Sequence, residues 1–193
     1  MLSFLFRILL TFNATSLLVI IFLIKEEMVL WKIFPSLCPH ISSWPDEISY
    51  FAYIIAPVLL TGLSIGLSRF LSEDDFKPVL IPGTEMKESA ITSIEYANNS
   101  FLPSYLGYFF VALSINSFDT LYFVYGILFV FTFMSQALYF NPLFLLYNFK
   151  FYNITTKNGS VIFLISRDCY KIPKNVEIEK VYRINDFTYI ERG

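Results

Sequence analysis

The chain has 193 residues, of which 55% are hydrophobic, 19% aromatic and 16% charged, with a formal net charge of -2 and a mean hydropathy of +0.57. A soluble domain of this length has too little interior to hide that much apolar surface, so lipid must be part of its solvent. One histidine and two distant cysteines, Cys38 and Cys169, cannot supply a Cys/His metal centre.

Crossing about 30 Å of hydrocarbon takes roughly 20 helical residues, because only a helix or a closed barrel satisfies its own backbone in lipid. The first candidate span covers residues 4–24 and stops at Lys25-Glu26-Glu27 without a small-residue cleavage site, which predicts a retained anchor and not a signal peptide. Asn13, Thr15 and Ser16 within it are open to a packing or a functional reading, and Arg7 lies close enough to its end to snorkel. Residues 25–47 carry Trp31 and Trp44 among Pro35, Pro39 and Pro45, a composition for an interfacial loop anchored by indoles. Sensing of something outside the membrane is the functional alternative for that loop.

The second span, 48–70, contains Pro57 and the pattern Gly62-x-x-x-Gly66. Small residues there, with Ser104 and Gly107 in the third span, allow helices to approach closely, within one subunit or between subunits. The loop 72–100 is acidic, and Met86 to Asn98 is expected to form a short helix capped by Thr84. The third span, 101–118, is followed by a tight turn at Asn116-Ser117-Phe118-Asp119 and by the fourth span, 121–140. Tyr125, Thr132, Gln136 and Tyr139 fall on one face of that last span. Such a stripe serves interhelical hydrogen bonds or, repeated around an axis, a pore lining. No charge lies near the middle of a span, which argues against proton-coupled transport.

After Asn141-Pro142, the apolar stretch Leu143 to Phe149 is too short to cross and is expected along the membrane surface or beneath the bundle. Residues 1–149 are therefore read as a mainly α, four-transmembrane-helix bundle, and residues 150–193 as a small β-rich cytosolic C-terminal unit. In that tail, Phe151 to Thr156 and Ser160 to Ser166 flank Lys157-Asn158-Gly159, a hairpin signature. Val176 to Ile184 and Phe187 to Glu191 read as two further strands. Four short strands are near the size limit for independent folding, so the unit must pack on the inner loop, another subunit or a partner.

With the N-terminus inside, 12 Lys and Arg residues fall on the cytosolic side and only Lys25 and Lys32 outside. That bias predicts a multi-pass protein with both termini cytosolic, which also separates the two cysteines and leaves no intrachain disulfide expected. Arg167, Lys171, Lys174, Lys180 and Arg183 form a basic group that suits a partner-docking face or an anionic leaflet. Direct nucleic-acid binding is not expected. Nucleophile–base pairs, metal spacings and phosphate-cradling glycines are missing, so the chain is expected not to be an enzyme and to need no cofactor.

The opening Met-Leu-Ser-Phe-Leu-Phe-Arg-Ile-Leu-Leu, the four spans, the acidic inner loop and the β-rich tail together resemble KwaA, the membrane-subunit family of the Kiwa anti-phage defence system. The resemblance covers the whole chain through its layout, without a diagnostic motif. It implies a bacterial inner-membrane scaffold or sensor that forms a homo-oligomer, a tetramer, in contact with membrane lipid. It also implies recruitment of a cytosolic DNA-binding protein like KwaB, and it transfers no catalytic residue. A pore-forming effector that depolarises the cell on infection is the alternative reading, with the polar stripe facing the pore.

Overall fold

Helix α1 (Leu2–Lys25) is the axis on which the other long helices pack. A computed structural model describes residues 2–33, 45–74, 79–80, 87–88, 91–97, 101–135, 141–156, 159–171 and 181–191. After α1 come a single turn, α2 (Leu30–Ile33), and then α3 (Asp46–Leu67), which continues into a 3-10 turn at Ser68–Phe70. Helices α4 (Phe101–Ser114) and α5 (Phe118–Ser135) follow, and α6 (Leu143–Leu146) is again one turn. Phe6, Leu10, Ala14, Leu18 and Phe22 are all buried, a stripe at every fourth residue that faces α3, α4 and α5.

Three helical stretches, Ser3–Lys25, Asp46–Phe70 and Phe118–Ser135, are long and apolar enough to cross a membrane. Helix α4 is shorter than expected: it stops at Ser114, and Phe118 opens α5 instead of closing α4. Lys25 explains the stop, since its ammonium donates to the Ile115 carbonyl and to Asn116 Oδ1. Ser117 Oγ then accepts the Thr120 N–H at 3.3 Å and starts the next helix.

The remaining strands are β1 (Glu73–Asp74), β2 (Val79–Leu80), β3 (Lys87–Glu88), β4 (Ile91–Tyr96), β5 (Lys150–Thr156), β6 (Val161–Ser166), β7 (Val181–Arg183) and β8 (Thr188–Glu191). Strands β2 and β3 pair with each other, while the other six form one sheet in the order β1-β7-β8-β6-β5-β4. Its contacts are antiparallel except for the parallel β6–β8 pair. The tail thus provides the four inner strands, and the loop between α3 and α4 adds one strand at each edge. This corrects the helix expected over Met86 to Asn98, since Lys87–Glu88 and Ile91–Tyr96 are strands; the proposed cap Thr84 lies outside the described residues. The β-branched run Ile91-Thr92-Ser93-Ile94 gains more from pairing with β5 than from a local helix.

Alternation along β5 and β6 divides the sheet into two buried faces. Phe151, Phe163, Ile165 and Ile190 join Phe6 and Leu10 of α1, Ile65 of α3, Phe144 and Phe149 in one core. Tyr152, Ile154, Ile162 and Leu164 form a second cluster on the opposite face. Burial on both faces is why β6 reads as an almost unbroken apolar run. Of the two positions open for Leu143 to Phe149, the structure takes the one between helices and sheet, with Phe144 and Phe149 buried. Asn148 adopts a left-handed φ of 65° that ends α6, and Phe149 N–H returns to the Phe144 carbonyl at 3.1 Å. Gly159 has φ 76° at the β5–β6 turn and donates to Thr156, as a hairpin glycine should. Lys157 and Asn158 lie outside the described residues.

If helices and sheet share this core, Phe144→Ala should cost about 3–5 kcal/mol, whereas Leu146→Ala, exposed two residues along the same turn, should cost within about 0.5 kcal/mol. Denaturant unfolding of the purified protein in detergent micelles reads both, and a Phe144→Ala chain as stable as the parent would contradict the shared core.

Candidate functional site

Polar side chains meet inside the helices at a point shared by α1, α3 and the chain leading into α6. Asn13 Nδ2 donates to Thr61 Oγ1 at 2.8 Å, and Asn141 Nδ2 donates to the same oxygen at 3.3 Å. The Thr61 hydroxyl gives its own proton to the Pro57 carbonyl at 2.8 Å, so this one oxygen is fully used. Asn13 Oδ1 is buried and has no hydrogen-bond partner among the described residues, a deficit of about 1–3 kcal/mol for such an acceptor. Neighbouring hydroxyls satisfy themselves on their own helices: Thr11 bonds Arg7, Ser16 bonds Asn13, Ser64 bonds Leu60 and Ser68 bonds Ile65, all at carbonyl oxygens. Small self-satisfied side chains let α1 and α3 lie close together.

The stripe expected on the last span begins in this region. The Tyr125 hydroxyl and Thr15 Oγ1 are hydrogen-bonded at 3.2 Å, so Tyr125 is turned toward α1 of its own chain. Thr132 is half-buried, and its carbonyl accepts from Ser135 Oγ; Gln136 and Tyr139 lie outside the described residues. Gly62 seats a side chain and not a helix: a Cβ there would stand 2.6 Å from Tyr147 Oη. That hydroxyl donates to the Val58 carbonyl at 2.8 Å, which ties the α6 connection to α3. A Cβ at Gly66 or Gly107 would meet nothing within 4 Å among the described residues. Ser104 belongs to α4, with its side chain outside the described set.

On the sheet face turned away from the helices, residues 166–171 fold back over the strands. Tyr170 donates its hydroxyl proton to Glu191 Oε2 at 2.7 Å. Tyr152 donates to the Asp168 carbonyl at 3.0 Å and accepts Tyr170 N–H at 3.3 Å. The Tyr152 and Tyr170 rings stand edge to face at 5.6 Å, and Tyr96 packs on Tyr152 at 5.8 Å. Glu191 is 6% exposed, and burial raises its carboxyl above the usual range. Burial and the adjacent Glu191 also push the Tyr170 phenol upward. Sequence reasoning did not find this pair: the partners are 21 residues apart, and its only local trace is an acid at the end of the strand Thr188–Glu191.

The basic group is divided by the pleat. Arg167 lies on the helix side, its guanidinium carbon 4.7 Å over the Phe149 ring. Arg183 pairs across to Tyr189, which pairs with Leu164, so it belongs to the opposite face, where it forms an ion pair with Asp186. Lys171 is exposed; Lys174 and Lys180 lie outside the described residues. Among the described residues no three His, Cys, Asp or Glu side chains are grouped to hold a metal ion.

Comparison with curated proteins and with solved structures gives no match. A family model described as anti-phage protein KwaA matches residues 6–190. That range starts in α1 at Phe6 and ends in β8 at Ile190, two residues of the same core, so it takes in the helices and the sheet as one object. The chain belongs to the KwaA family of anti-phage proteins.

Proposed function

We propose that this chain is the membrane scaffold and sensor of an anti-phage complex: it crosses the bacterial cytoplasmic membrane four times, assembles as a homo-oligomer, a tetramer, and holds a cytosolic DNA-binding effector of the KwaB kind. The carrying observation is the continuous core in which Phe6, Leu10 and Ile65 of the helices meet Phe151 and Ile165 of the sheet. Close-packed cores do not deform smoothly, so a shift of α1 against α3 must displace the sheet as well. This gives an event at the membrane a route to a protein bound below it, while the chemistry on phage DNA is left to that protein.

The charge bias of the loops supports an orientation with the sheet in the cytosol. Helix α4, at 14 residues, completes the fourth crossing with local thinning of the bilayer. Much of α5 is uncovered, with Tyr122, Phe123, Phe131 and Met134 exposed, an apolar surface available to lipid and to a second copy. The effector surface in this reading is the sheet face away from the helices, where Phe187 is 58% exposed and Lys171 adjoins the Tyr170–Glu191 pair. Exposed aromatics and cations are the kinds of residue that anchor an interface.

Phe187→Glu combined with Lys171→Glu leaves both buried clusters untouched. The pair should preserve oligomer size in mild detergent, lower recovery of the co-expressed effector at least about tenfold, and abolish protection against phage. Undiminished recovery of the effector would place its binding surface elsewhere.

A further inference from the structure

One corner of the molecule combines cations that lack a carboxylate partner among the described residues with exposed leucines at the level of the spanning helices. Tyr147 reaches the Val58 carbonyl of α3, 12 residues before the helical segment ends at Phe70. At 1.5 Å per residue that is about 18 Å up the helix from its end. The α6 turn is therefore held beside the spanning part of α3, and Leu146 on it is 68% exposed, with Leu145 also exposed. Asn148 N–H bonds back to Leu145, so Phe149 and Lys150 lie within one turn of those leucines. Three residues cover at most about 10 Å, so Lys150 can stand up to that much nearer the sheet-side end of α3 than Tyr147 does.

Arg167 lies at the same corner, stacked on Phe149, and Lys150 Nζ is 3.5 Å from its carbonyl. Neither cation has an ion-pair partner among the described residues, although Asp168 is adjacent to Arg167 in the chain. Alternation puts Asp168 on the opposite face, with the Tyr152 and Tyr170 network. A guanidinium set over an aromatic ring keeps its N–H donors free to meet two oxygens of a phosphodiester.

We infer that this corner binds an anionic phospholipid of the cytosolic leaflet. Arg167 takes the phosphodiester in a forked hydrogen bond, Lys150 adds a second positive charge, and an acyl chain lies along Leu145 and Leu146. The inference rests on the membrane-spanning reading of α3. Its effect is to tie the sheet to the inner leaflet on the side where it meets the helices, so that lipid as well as the protein core carries movement between them.

Thermal unfolding of the full chain in neutral detergent, titrated with phosphatidylglycerol, phosphatidylcholine or sodium phosphate, tests it. Phosphatidylglycerol should raise Tm in the parent, with little effect from the other two. Arg167→Gln with Lys150→Gln should weaken the apparent lipid affinity about tenfold while leaving Tm without lipid unchanged. Arg167→Lys should fall between, because it keeps the charge and loses the fork. An equal phosphatidylglycerol shift in parent and double variant overturns the site. So does an equal response to sodium phosphate, which would need no acyl contact. If the double variant loses stability without lipid, the comparison of Arg167→Lys with the parent decides. A chain that fails to integrate into membranes at all would instead remove the spanning reading on which the site depends.

Discussion

Phe151 stacks on Phe163 at 5.8 Å, and Phe144 and Phe149 close around them with ring separations near 6 Å (5.9 Å between Phe144 and Phe149, 6.1 Å between Phe144 and Phe151). This aromatic contact holds α6, the sheet and the sheet-side ends of α1 and α3 in one piece. Without it the four tail strands would be a unit too small to bury its own surface. The loop between α3 and α4 completes the arrangement: β1 pairs with β7 and β4 with β5, so the sheet is stitched to the helices covalently as well as through its core.

The helical part solves a different problem. Lipid competes poorly for hydrogen bonds, so hydroxyls on α1 and α3 turn back to their own carbonyls, and the two amides of Asn13 and Asn141 converge on Thr61. Among the described residues one acceptor, Asn13 Oδ1, stays unmet. At the other end Lys25 clamps the α4–α5 turn.

What could be read from residues alone follows from locality. The spans at Ser3–Lys25, Asp46–Phe70 and Phe118–Ser135 stand out by length and hydropathy, and the β5–β6 hairpin by its alternation and by Gly159. Ile91–Tyr96 was misread as a helix because its preference is set by β5, a strand more than 50 residues away in sequence, and local propensity carries no sign of that. Gly62 looked like a helix-packing glycine, yet the group it accommodates is Tyr147, brought there by a turn that no periodicity predicts. Arg167 and Arg183 looked like one basic face until the strand register separated them. The Tyr170–Glu191 bond depends on residues 166–171 folding over the sheet, a tertiary event without a local signature. Membership of the anti-phage family was legible only through the overall layout, since the resemblance carries no diagnostic motif.

The coupling of membrane helix to sheet can be measured by hydrogen exchange with mass spectrometry on the detergent-solubilised chain, comparing the parent with Leu10→Ala. Leu10 belongs to the core that α1 shares with the sheet. The account predicts that amides of β5 and β6 exchange at least about tenfold faster in the variant, together with those of α1, because local stability is shared across a cooperative unit. Faster exchange confined to α1, with β5 and β6 unchanged, would contradict it and separate the sheet from the helices as an independent body.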